Sequence, residues 1–144
     1  RPVMKPDPLV VDNSVFMAWC FGDQSSRYTD RVLDQLTESR ALVPGVWPLE
    51  VTNVLLVAQR RKLLARADAA RFLDLLRSLP IDVEQELPGR VFSEVYALGA
   101  EFALSSYDAS YLDLAIREGL PIATQDKSLR RAANKARVAL FSAG

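Results

Sequence analysis

Four carboxylates, Asp12, Glu50, Asp108 and Asp126, draw attention in this 144-residue chain because the side chains that most often run enzymatic chemistry are missing. The sequence holds no histidine and one cysteine, Cys20. His-based triads, His-ligated zinc, thiolate clusters and internal disulfides are thereby excluded. Chemistry here has to run on carboxylates, hydroxyls or lysine. Carboxylates gathered within about 4 to 6 Å repel one another and drive some of their pKa values up. A divalent cation relieves that repulsion, and hard oxygen donors without imidazole or thiolate suit magnesium or manganese, as one ion or two. Magnesium keeps waters and borrows oxygens from phosphate, so phosphodiester hydrolysis is the chemistry such a cluster would perform.

Each acid also has a local explanation. Asp12 suits an Asx turn carrying the chain into the first helix. Glu50 falls in a helix first turn, where the dipole favours a carboxylate by about 0.3 to 1 kcal/mol. Asp108, three residues after Ser105, can close a capping box, and Asp126 is a good N-cap for the segment starting at Lys127. Taken singly, none requires a function. Taken together they do, because all four fall where a strand gives way to a helix or where a helix begins, and in a parallel sheet those places share one edge.

The elements that would bring them there can be read from periodicity. Leu9 to Val11 is a short apolar β run, ended by Asp12-Asn13-Ser14 and followed by an apolar helix from Val15 to Phe21. Tyr28, Val32, Leu33 and Leu36 recur at helical spacing, and Ala41 to Val43 is a second strand closed by Pro44-Gly45. Pro48 opens a helix that Arg60-Arg61-Lys62 closes, and another runs from about Ala67 to Leu79. Ile81 to Val83 predicts a third strand at an edge, followed by a helix from about Pro88 to Phe102. Ser105 and Ser106 offer N-caps for the next helix, which Gly119 ends; Pro121 to Thr124 is a fourth strand. A helix from Lys127 to about Lys135 and a final β run from Val138 to Phe141 complete the pattern. Strands separated by helices imply a three-layer α/β/α sandwich around a mostly parallel sheet of four to five strands.

Bulk composition bounds this reading. With 49% hydrophobic and 25% charged residues, the chain suits a single domain over residues 1–144, its first eight residues forming a flexible N-terminal segment. Met4 is a candidate natural start, which would make Arg1, Pro2 and Val3 vector-derived. No apolar run approaches the roughly 20 residues of a membrane span, and no secretory signal is visible, so the cytoplasm is the expected compartment. The formal net charge is zero, which argues against a surface wholly coated for nucleic acid. Setting the four acids aside as metal-neutralised leaves 18 basic against 14 acidic residues, enough for a local basic groove.

Four segments resemble the PIN domain nucleases: Val10-Val11-Asp12-Asn13-Ser14; Pro48-Leu49-Glu50-Val51-Thr52-Asn53; Ser106-Tyr107-Asp108-Ala109-Ser110-Tyr111-Leu112; and Ile122-Ala123-Thr124-Gln125-Asp126-Lys127-Ser128-Leu129. The resemblance runs from Val10 to Phe141 and is greatest to the VapC toxins of toxin-antitoxin pairs. It implies a PIN-like fold and a homodimeric, metal-dependent endoribonuclease that cuts structured RNA, halts translation and is held inactive by a partner antitoxin. It further implies Asp12, Glu50 and Asp108 as principal ligands, with Asp126 completing the set directly or through water. Ser14 and Thr124 would orient the acids. Asn53, one helical turn beyond Glu50, would either hydrogen-bond a ligand carboxylate or serve as an ordinary interior or capping asparagine.

RNA contacts are expected from Lys127, Arg130 and Arg131, whose bland alternative is a solvated helix face. Arg60, Arg61, Lys62 and Arg66 form a second basic cluster that equally suits a helix C-terminus. Trp19 and Trp47 are better read as core or dimer packing than as base-stacking platforms. Two rival readings stand beside the nuclease. A receiver-type phosphoacceptor domain would want adjacent acids after its first strand, which the order Asp, Glu, Asp, Asp does not supply. A catalytically silent PIN-like module binding RNA or protein would share the fold, and only a cleavage assay separates it.

Overall fold

The computed structural model describes residues 6–142. Of the expected N-terminal flexible segment, residues 1–5, with the candidate start at Met4, lie outside the described residues. Four parallel strands form the sheet: β1 (Leu9–Val11), β2 (Ala41–Pro44), β3 (Ile81–Glu84) and β4 (Ile122–Ala123), in the order β3-β2-β1-β4. Every residue of β1 and β2 is buried. Because successive strand residues point to opposite faces, that pattern requires cover on both sides, as an α/β/α sandwich supplies. β3 lies at the sheet edge, as expected, but leaves the adjacent Asp82 and Val83 both exposed, so its burial does not alternate.

Helices α1 (Asn13–Cys20), α2 (Arg27–Gln35), α3 (Trp47–Arg60) and α4 (Arg66–Ser78) precede or follow these strands in alternation. The predicted 88–102 helix is α5 (Pro88–Arg90), a π-helical stretch (Val91–Val95) and α6 (Tyr96–Phe102) in succession. Then come α7 (Ser106–Glu118) and α8 (Lys127–Lys135). Helix α1 begins two residues earlier than its apolar stretch predicts because Asp12 caps it. Gly119, at φ 65°, closes α7: its N–H bonds to the Ile116 carbonyl and that of Leu120 to Ala115, a Schellman motif that favours glycine.

The expected fifth strand is reduced to one parallel bridge, Leu140 to Ile122. Val138 still donates to the Ala133 carbonyl of the preceding helix, so among the described residues two backbone bonds, Ile122 N to Ala139 O and Phe141 N to Ile122 O, tie this segment to the sheet.

Helix α7 organises the interior. Seven consecutive residues, Ala109 to Ala115, are buried, and the helix packs on β1, β2 and α8. Leu9, Val10, Val11, Phe16, Val43, Tyr111, Leu112, Leu114 and Leu129 make the deepest part of the core, each large apolar side chain contributing about 1.5 to 3 kcal/mol. Asp113, also buried, is gripped by Arg90 through bonds of 2.8, 2.9 and 3.1 Å, which fasten the 88–102 helical run to α7. No helix among the described residues is long and apolar enough to cross a membrane.

Candidate active site

The carboxyl ends of β1 and β4 supply two of the acids. Asp12 leaves β1 with its N–H bonded to the Ala123 carbonyl, and its Oδ2 accepts the Ser14 N–H at 3.3 Å and the Thr124 hydroxyl at 2.8 Å. It is 4% exposed, so those donors replace the water the carboxylate has lost. Thr124, fully buried just past β4, also accepts the Asp126 N–H through the same hydroxyl at 3.0 Å. One side chain thus joins two acids 114 positions apart. Asp126 turns its Oδ2 to the Leu129 N–H at 2.8 Å, the N-cap bond its sequence position predicts. The Ser14 hydroxyl accepts the Gln125 N–H at 3.0 Å.

The other two acids come from helix first turns. Glu50 sits in the first turn of α3, half-buried, and its Oε1 accepts the Tyr111 hydroxyl at 2.7 Å. Asp108 lies in the first turn of α7, where its backbone N–H bonds to the Ser105 hydroxyl at 3.1 Å, and the same hydroxyl beside its carboxyl acts to lower the pKa.

These acids share one electrostatic environment. Burial pushes the Asp108 carboxyl up to about 6, assisted by the negative charges of Asp12 and Asp126. Burial also raises Glu50, opposed by the Tyr111 hydrogen bond and reinforced by Asp12 and Asp108. Asp12 is raised by burial that outweighs its bonds to Ser14, Thr124 and the backbone N–H groups of Ser14 and Asn13. Burial is the largest cause in each case, with like charge adding to it at Glu50 and Asp108, and the donor chemistry, all carboxylate oxygen, fits a hard divalent cation. Among the described residues, no three acidic side chains already stand close enough to enclose one ion. Half-buried Glu50 and Asp108 would meet a cation by side-chain rotation or through bridging water.

The remaining expected residues divide. Ser14 and Thr124 both bond Asp12, and Thr124 also bonds the backbone of Asp126. Asn53 is exposed and lines a cleft with Phe21, Gln24 and Arg61, and none of its hydrogen bonds among the described residues reaches an acid of the cluster. Lys127 and Arg131 are exposed on α8, whereas Arg130 is engaged inward: its Nη1 donates to the Thr124 carbonyl at 2.8 Å and its guanidinium lies 5.5 Å from the Tyr28 ring centroid. Trp47 is buried against Phe16, and Trp19 donates its indole N–H to the Thr29 carbonyl.

Two residues to which sequence reasoning gave no role belong to the site's framework. Tyr111 was legible as an α7 residue three beyond Asp108, hence on the same helix face. Gln125 joins three segments: its N–H bonds to Ser14, its Oε1 accepts the Ser26 hydroxyl at 3.0 Å, and its Nε2 donates to the Gln24 carbonyl at 3.3 Å. Nothing in local spacing announces those contacts.

The chain is thus a parallel α/β sandwich with carboxylates at the strand ends and in helix first turns. The family model of that domain matches residues 9–135, and the chain belongs to the PIN domain family. A curated relative named Ribonuclease VapC3, from Pyrobaculum aerophilum, is 29% identical over 121 residues, covering 84% of this chain and 91% of the relative. The crystal structure of PAE2754 from Pyrobaculum aerophilum is similar with a TM-score of 0.65 and 26% identity, over 87% of this chain and 78% of that one. A toxin-antitoxin complex from Klebsiella pneumoniae aligns with a TM-score of 0.54 at 14% identity, over 82% and 86% of the two chains, a likeness of fold. FitAcB from Neisseria gonorrhoeae likewise shares the fold, with a TM-score of 0.57 at 16% identity, over 94% of this chain and 97% of that one.

Proposed function

We propose that this protein is a metal-dependent endoribonuclease hydrolysing phosphodiester bonds in RNA, acting in the cytoplasm as the toxin of a toxin-antitoxin pair. The observation that carries the reading is the placement of four acids from separate segments: Asp12 and Asp126 at strand ends, joined through the Thr124 hydroxyl, and Glu50 and Asp108 in the first turns of α3 and α7, where the charge of Asp12 acts on both. The likeness to the Pyrobaculum ribonuclease, and the fold shared with the Klebsiella toxin-antitoxin complex, support the biological role.

When bound, a magnesium or manganese ion, single or paired, supplies Lewis-acid charge and lowers the pKa of attacking water. Asp12, Glu50 and Asp108 are the residues that would hold it, with Asp126 beside them. Thr124 and Ser14 keep the buried Asp12 carboxylate aimed by fixing Oδ2. An oxygen of one of the acids that is left free of both the ion and protein donors would accept the proton given up by water. Lys127 and Arg131, exposed one and five residues after Asp126, attract the RNA backbone. A second copy of the chain would cover the exposed Phe92 and Tyr96, which are four residues apart on the 88–102 run and 80% and 73% exposed. An antitoxin would lay an apolar helix on the toxin and direct a basic group at the acids.

Cleavage of a structured RNA with added magnesium, and its loss in chelator and in Asp12→Asn and Asp108→Asn variants of unchanged far-UV dichroism, is the expected outcome. Activity persisting in those variants, free of contaminating nuclease, would remove the reading. The silent-module alternative draws on the open spacing of the acids, and it is the conclusion if the wild type binds RNA yet leaves it uncut in magnesium and manganese alike.

A further inference from the structure

The geometry points to Tyr111 as the positioning residue for Glu50, its hydroxyl fixing Oε1 so that Oε2 is the oxygen presented to a cation. The inference rests on the metal-dependent reading proposed above and concerns this chain's own residues. Tyr111 is fully buried, and its ring is locked in the core by a helix that packs on both β1 and β2. A buried phenol demands a hydrogen-bond partner, and this one donates its single proton to Glu50 at 2.7 Å.

Glu50 needs the restraint more than the other acids. It is half-buried, its helix is capped by Val46 without a side-chain hydrogen bond, and its long side chain has several rotatable bonds. Glu50 shares its surroundings with the like charges of Asp12 and Asp108. The Tyr111 hydroxyl bonds it from α7, one turn beyond Asp108. The same helix thereby delivers one acid and anchors a second. Asp12 and Asp126 have a different arrangement, each held by backbone N–H groups of its own element.

Binding of Mn2+ to the full chain, followed by electron paramagnetic resonance of the free ion, tests this without RNA. Wild type should bind, Asp12→Asn should lose binding, and Tyr111→Phe, with far-UV dichroism unchanged, should weaken affinity by about 10- to 100-fold. In cleavage, Tyr111→Phe should lower kcat while KM for RNA stays put; a purely packing role would lower thermal stability and leave metal affinity alone. Unchanged affinity and kcat in Tyr111→Phe, with Asp12→Asn inactive, overturns the positioning role and leaves the nuclease reading standing. No Mn2+ binding by wild type overturns both. Should Tyr111→Phe fail to fold, 3-fluorotyrosine placed at position 111 alone gives the same answer. Its 19F resonance should move during Mg2+ titration in the otherwise wild-type protein and stay fixed with Asp12→Asn, and a resonance unmoved while the metal binds overturns the inference.

Discussion

The two halves of the acidic site are built by opposite means. Asp12 and Asp126 leave strand ends, sit among donors from Ser14, Thr124 and Leu129, and are tied to each other through one buried hydroxyl. Glu50 and Asp108 rise from helix first turns, are half-buried, and face like charge; Glu50 accepts the Tyr111 hydroxyl, and the Ser105 hydroxyl beside Asp108 offsets only part of the burial that raises it. The strand half is preorganised by the protein. The helix half is left with repulsion that a cation can discharge, which is where the energy of metal binding would be spent to complete the site.

Removing an acid from the preorganised half should have the largest effect. Asp12→Asn should cut RNA cleavage by about a hundredfold or more with the fold intact, measured on gel-resolved RNA, because several kcal/mol of transition-state stabilisation pass through that carboxylate. Activity within a few-fold of wild type would mean that the helix half suffices alone.

Thr124→Val keeps the shape and removes the hydroxyl, leaving Asp12 short of a donor and the Asp126 N–H short of an acceptor. Urea unfolding should register a loss of about 1 to 3 kcal/mol. A neutral result would contradict the view that this half is held by its hydrogen bonds.

The helix half should respond in the opposite direction. Asp108 titrates near 6 in the native state against an ordinary 3.8, so between those values the folded protein binds more protons than the unfolded chain. Stability contributed by this group therefore falls as pH rises through that window, and above about 6 the penalty is fully present. In metal-free protein, Asp108→Asn should raise Tm at pH 7.5 by about 1 to 4 °C, and the gain should fade as the pH is lowered toward 4. Added Mg2+ should reverse the ranking of the two proteins. A lower Tm for the variant at pH 7.5 without metal would break the comparison.

The smallest effects should separate the basic residues of α8. Lys127→Ala with Arg131→Ala should raise KM for RNA several-fold and flatten the dependence of log affinity on log salt by about 1 to 2. Arg130→Ala should instead lower stability by about 1 kcal/mol, because its guanidinium is committed to Thr124 and Tyr28.

Much of this architecture was legible because its signals are local. Apolar β runs, the Gly119 stop, the Ser105 cap and the Asp12 turn each declare themselves within a few residues, and alternation of strand with helix then dictates a parallel sheet. The segment from Val138 to Phe141 misled because its composition suits a strand, whereas pairing depends on where the preceding helix releases the chain. Arg130 misled in the same way: its spacing from Asp126 suits substrate, but its surroundings turn it inward.

The sequence alone determined the kind of chemistry available, since lacking histidine and holding one cysteine leaves oxygen ligands, and it determined that four acids occupy element junctions. The tertiary structure decided which side chains hold those acids. Thr124 reaches Asp12 across 112 positions and Tyr111 reaches Glu50 across 61, and bonds between such distant residues exist only once the sheet and α7 have closed around a common core.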